Sequence, residues 1–170
     1  GELPKRPVII TFDDGNLDVY ANAFPIMQKM GFVGAIYIVA ERLGSYNLVN
    51  ADQVAEMIAA GWEVGSHSMS HSDLTYNHWQ LDYELQESRS LLEETFGVPV
   101  LTLAYPYGSR DDYVVEWAKE YGYVAGMGLG TFNEHTLETL FFLSRREVYS
   151  DYDMSIFSSL LPWTGPLKSP

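Results

Sequence analysis

Pro7-Val8-Ile9-Ile10-Thr11-Phe12-Asp13-Asp14-Gly15 is the stretch from which fold and chemistry are both read. A short apolar, β-branched run ends in two adjacent carboxylates and a glycine. That pattern predicts a buried strand delivering acidic side chains to the rim of a sheet or barrel. Neighbouring residues on a strand face opposite ways, so Asp13 and Asp14 can hold different jobs only where the strand ends. Two like charges this close are costly unless a cation or a shared proton compensates them. On Asp-Asp-Gly alone, an ordinary turn is the simpler reading. A second stretch, Gly65-Ser66-His67-Ser68-Met69-Ser70-His71, changes the balance. Histidines at i and i+4 reach one point from a helical or looped turn, as neutral imidazoles must to share a metal. One aspartate and two histidines leave coordination positions open for water and substrate.

Outward from these stretches, strands and helices alternate. A helix is expected over 19–30, capped by Asn16 or Asp18, with Ala21, Phe24, Ile26, Met27 and Met30 inward and Gly31 as its stop. Residues 32–40 read as a second buried strand, and Asn50 opens a helix to Ala60. A brief strand over 62–65 runs into the two histidines, again placing chemistry at a strand's C-terminal end. Residues 77–96 predict a long amphipathic helix with Leu81, Leu85, Leu91 and Leu92 inward and its acidic residues outward. Further strands are expected over 99–104, 123–127 and 140–148, with a helix from Asp111 or Asp112 to Tyr121. Residues 126–130 and 133–139 read as loop, Asp153 opens a short last helix, and 162–166 is turn-rich. The alternation implies a parallel sheet in a single α/β domain spanning 1–170; periodicity does not separate an open doubly wound sheet from a barrel.

The composition narrows the function. At 170 residues the chain suits one domain with a substantial core. A net charge of −13 argues against nucleic acid and anionic membrane surfaces, and favours a neutral or cationic glycan over an anionic polymer. Twelve tyrosines and four tryptophans suit stacking on sugar rings, although many of them serve the core. Without cysteine there is no disulfide, thiol nucleophile or sulfur-ligated zinc. No apolar run is long enough to span a membrane.

Thr11-Phe12-Asp13-Asp14-Gly15, His67-Ser68-Met69-Ser70-His71 and Ala104-Tyr105-Pro106-Tyr107-Gly108 together resemble, in order and spacing, the polysaccharide deacetylases of carbohydrate esterase family 4, the NodB-homology domain. The resemblance runs over about 7–160 and implies a distorted, incomplete (β/α) barrel of about seven parallel strands. It implies Asp14, His67 and His71 as ligands of one divalent metal. A donor set of nitrogen and oxygen suits Zn²⁺ and also accepts Co²⁺, Ni²⁺ or Mn²⁺. It implies Asp13 as general base and the Tyr107 N–H as an oxyanion donor, with Tyr105 and Tyr107 beside the substrate. Two departures stand out. The arginine that usually opens the third motif is replaced by Ala104, so Arg145 or Arg146 is expected to supply the cation that orients Asp13. The late Leu-His motif that supplies a general acid is missing, and neither His135 nor His78 fits it.

The expected activity is therefore removal of acetyl groups from an acetylated glycan, foremost N-deacetylation of N-acetylglucosamine-containing polymers such as chitin, peptidoglycan or exopolysaccharide. O-deacetylation of acetylated xylan is the alternative. A catalytically silent sugar-binding module is the rival of another class, and a non-carbohydrate amidohydrolase a third. A monomer, located outside the cell or at its surface after loss of an export signal, completes the expectation.

Overall fold

The computed structural model describes residues 7–161; the expectations for 1–6 and for the turn-rich 162–166 lie outside that range. Six parallel strands form one curled sheet whose order follows the chain: β1 (Thr11–Phe12), β2 (Ala35–Ile38), β3 (Glu63–Ser66), β4 (Thr102–Ala104), β5 (Ala125–Leu129) and β6 (Leu143–Arg145). The connections carry α1 (Phe24–Lys29), α2 (Ala51–Ala59), α3 (Ser88–Phe96) and α4 (Asp112–Glu120), and α5 (Met154–Leu160) follows the last strand. A doubly wound sheet reverses its strand order partway. This one never does, so its right-handed crossovers put the helices on one side and the sheet curls into an incomplete (β/α) barrel. The strand count is six among the described residues, where about seven were expected.

Strand register sorts the residues into two sets. Thr11 pairs with Ala35, Tyr37 with Gly65, Ala104 with Met127, and Leu129 with Arg145. With period-2 alternation, these residues line the concave face, together with Asp13 and His67 just beyond β1 and β3. Tyr37 fills much of the narrow interior: a Cβ on Gly65 would lie 2.3 Å from its ring. The alternate set, Phe12, Ile36, Ile38, Val64, Leu103 and Tyr105, packs against Val54, Met57, Leu85, Leu92, Val114 and Ala118 of the helical layer. Asn50 caps α2 by a reciprocal capping box with Gln53, and Asp111 caps α4 by accepting from the Val114 N–H.

Several expectations are corrected. Val8 and Ile9 are 56% and 79% exposed rather than buried, because β1 is an edge strand and pairs only from Thr11 onward. Phe32 and Val33 are likewise exposed before β2 begins. The first helix starts as a π turn over Val19–Ala23, so Val19, Phe24 and Met27 are buried whereas Ala21, Ile26 and Met30 face water. The expected single helix over 77–96 is a 3₁₀ turn (His78–Gln80), a π stretch (Asp82–Glu87) and then α3. In it Leu91 is exposed and one acid, Glu84, is buried. Residues 126–129, read as loop, belong to β5, and Leu137–Phe142 is a 3₁₀ turn ahead of a shorter β6.

Candidate active site

The site gathers where the strands end on the concave side. β1 delivers Asp13 with the parity of Thr11, and Asp14 follows at φ +69, a left-handed turn that swings the second carboxylate back to the same place. After β3 the chain loops from His67 to His71, with Ser68 at φ +63 and His71 at φ +68. Beyond β4, Tyr107 turns at φ +61. Four of the five left-handed non-glycine residues among the described residues thus lie in the three motifs. Each such residue costs on the order of 1–3 kcal/mol and persists only where its surroundings hold it, so the strain marks the site.

Asp14, His67 and His71 each aim one ligand atom at a common point, all within 4.8 Å of one another. Asp14 Oδ1 lies 3.5 Å from His67 Nε2 and 3.3 Å from His71 Nε2. A direct charge-assisted hydrogen bond would close to about 2.7–2.9 Å. Ligand atoms at about 2.0–2.1 Å around a tetrahedral ion instead sit about 3.3 Å apart, close to the two aspartate–histidine spacings. The His67 Nδ1 is 2.7 Å from the Ala104 carbonyl, a contact that requires Nδ1 to carry the proton and leaves the Nε2 lone pair facing the cluster. Burial is the largest influence on His67 and lowers its pKa, so the ring is held neutral, as a ligand must be. The donor set therefore fits a divalent transition ion.

Asp13 stands beside this cluster, with Oδ2 4.0 Å from His67 Nε2. It is clamped by Arg145, whose Nη1 and Nη2 donate to Oδ1 and Oδ2 at 2.6 and 2.7 Å. Arg145 also reaches Thr11 Oγ1 at 3.1 Å and lies over the Tyr37 ring, so one side chain from β6 spans to β1 across the barrel's open seam. Arg146, the other candidate, turns away to the Thr131 carbonyl and Asn133. Ala104, in place of the expected arginine, contributes only its carbonyl to the site.

The Tyr107 N–H meets no acceptor among the described residues, and the ring packs edge-on against His71 at 4.7 Å. Tyr105 is different. It is buried on the helix side, its hydroxyl donates to the Phe141 carbonyl, and burial pushes its pKa up. Its expected place beside the substrate is thus corrected: it shares the parity of Leu103, opposite to Ala104. His78 pairs with Asp111 at 2.8 Å and stacks on Tyr113, and His135 is exposed in the stretch before the 3₁₀ turn.

Glu84 escaped the sequence reading. Its Oε2 accepts from the Met69 and Ser70 N–H groups at 3.1 and 3.0 Å, and Oε1 from Ser70 Oγ at 2.5 Å. The rest of the histidine loop is as fully paired. Ser66 Oγ accepts from Ser68 N–H and Ser68 Oγ from His71 N–H, while residues 40–42 bond the carbonyls of Ser68, Met69 and Ser70. The missed signal was spacing: Leu81, Glu84, Leu85, Ser88 and Leu92 share one helical face.

A sequence model described as polysaccharide deacetylase matches residues 1–126 of the chain. The poly-β-1,6-N-acetyl-D-glucosamine N-deacetylase of Staphylococcus aureus (strain MRSA252) is 30% identical over 144 residues, covering 76% of this chain and 50% of that protein. BC0361, a polysaccharide deacetylase from Bacillus cereus, superposes with a TM-score of 0.83 at 26% identity over 91% of this chain and 51% of its own. The Streptococcus pyogenes deacetylase PplD, solved with acetate, shares the fold with a TM-score of 0.86 at 24% identity, over 94% and 73% of the two chains. The chain spans about half the length of the curated relatives it matches.

Proposed function

Because the chain belongs to the polysaccharide deacetylase family, we propose that it is a metal-dependent hydrolase that removes acetyl groups from N-acetylglucosamine-containing glycans. The observation that carries this reading is the convergence of Asp14, His67 and His71 on one point, with Asp13 held 4.0 Å from His67 Nε2.

Asp14, His67 and His71 would hold the ion. When bound, a divalent ion there lowers the pKa of adjacent water and polarises the acyl oxygen. Asp13 accepts the proton of the attacking water, within reach because Arg145 fixes both of its oxygens. The Tyr107 N–H, with no acceptor among the described residues, donates to the oxygen on which charge develops. Such a preset donor is worth about 3 kcal/mol of barrier. The Tyr107 ring, 65% exposed, offers a face to the sugar.

The second reading is O-deacetylation of acetylated xylan. The absence of any histidine after His135 favours it, since an ester's better leaving group needs less help from a general acid. Acetate release from chitooligosaccharides and from acetylxylan, with Zn²⁺ or Co²⁺ and with chelator, tests both. Metal-dependent release from the chitooligosaccharide is expected. Release from acetylxylan alone would favour the ester reading, and release from neither, in metal-loaded protein, would leave a silent sugar-binding module. The glycan substrate and a cell-surface setting are inferred from the relatives' polysaccharide chemistry.

A further inference from the structure

We propose that Glu84 is a positioning residue that sets the affinity of the Asp14–His67–His71 centre, by holding the loop on which His71 is carried in its left-handed conformation. The inference rests on the metal-binding reading above. Ser68 and His71 both sit at positive φ, so the loop between them does not keep its shape by local preference. Within it the N–H groups of Ser68 and His71 find acceptors on the loop's own serines. Those of Met69 and Ser70 do not: the Met69 N–H is shared between the carbonyl and the carboxylate of Glu84, and the Ser70 N–H depends on the carboxylate, which also takes the Ser70 hydroxyl. Three donors converge on the two carboxylate oxygens, an arrangement suited to a group that only accepts, and the Ser70 N–H and hydroxyl rely on it most. The same helical stretch grips the root of the loop, because Ser88 Oγ lies 3.0 Å from Ser66 Oγ and donates to the Glu84 carbonyl. Glu84 is 3% exposed, and burying a carboxylate is tolerated only where hydrogen bonds replace its water. Its place in the π stretch Asp82–Glu87, a helical distortion concentrated at functional sites, fits a position shaped by the loop it serves.

The test is Zn²⁺ affinity, measured by chelator competition on wild type, Glu84→Ala and Glu84→Gln, with thermal unfolding of each metal-free protein alongside. Glu84→Ala is expected to bind Zn²⁺ roughly 10–100-fold more weakly, the usual effect of losing a partner that orients ligands. Glu84→Gln, which keeps the shape but turns an amide N–H₂ toward donors, is expected to fall between. Glu87→Ala, exposed on the same stretch, should bind as wild type does. A merely structural role would lower the unfolding temperature and leave the affinity of the folded protein intact. Folded Glu84→Ala binding within threefold of wild type would overturn the proposal; if that variant does not fold, unchanged affinity in Glu84→Gln would do so. Wild type that takes up no Zn²⁺ overturns the metal reading itself, and is told apart because no variant then needs comparing.

Discussion

Among single residues, Asp13 and Arg145 divide the labour most sharply. Asp13→Asn keeps the shape and removes the proposed base, so kcat should fall about 10²–10⁴-fold while metal uptake stays at the wild-type level. Paired acetate-release and metal-titration measurements would separate these effects, and full activity in the variant would refute Asp13 as the base. Arg145→Lys keeps the charge and loses the two-pronged grip on Asp13. A charge-assisted hydrogen bond is worth about 1.5–3 kcal/mol, so kcat is expected to drop by roughly tenfold or more. Arg146→Lys, turned toward Asn133, should change little. At this scale residue type and spacing were enough to foresee that Asp14, His67 and His71 would come together. The sequence misled where a motif overrode geometry: Tyr105 follows Leu103 by two residues and so inherits its buried side. Glu84 was misread because charge was allowed to outweigh helical position.

The elements show the same division between local and non-local information. Glycine stops and polar caps are local, so α2 and α4 fall close to the expected boundaries. Asn50→Ala removes the acceptor for the Gln53 N–H and half of a capping box, at a cost of about 1 kcal/mol. In a chain of this size that lowers the unfolding temperature by roughly 2–4 °C, readable by calorimetry, and an unchanged midpoint would show the cap idle. What was not legible depends on partners. Residues 8–10 look like a buried strand by composition, but burial needs a neighbour on each side, and an edge strand lacks one. The π turns at Val19–Ala23 and Asp82–Glu87 each widen a helix and alter which side chains face inward, something an apolar count at a fixed 3.6-residue period does not register.

For the whole molecule, alternation alone left barrel and open sheet unresolved, since strand order is set by contacts far apart in sequence. Those contacts include the Arg145 bridge between the first and last strands and a layer of buried aromatic residues between sheet and helices. Tyr123, within that layer, ties the approach to β5 to the helical stretch before α3 by donating its hydroxyl to the Leu85 carbonyl. Burial pushes its pKa from 10.0 to about 12, so the folded protein keeps the phenol proton through a range in which the unfolded chain has lost it. Between those values the unfolded state binds fewer protons, and stability must fall as pH rises. The contribution is complete below pH 10 and declines from there, and the loss amounts to roughly 2–3 kcal/mol once both states have ionised. Urea midpoints at pH 8 and pH 11 should therefore separate clearly for wild type. Tyr123→Phe should cost about 0.5–1.5 kcal/mol at pH 8 for the lost hydrogen bond and then show a shallower alkaline decline. Some slope must survive in that variant, because burial raises Tyr37 and Tyr105 as well. A decline as steep as wild type's would mean that Tyr123 ionises no differently in the folded chain than in the unfolded one, and that this junction is open to water.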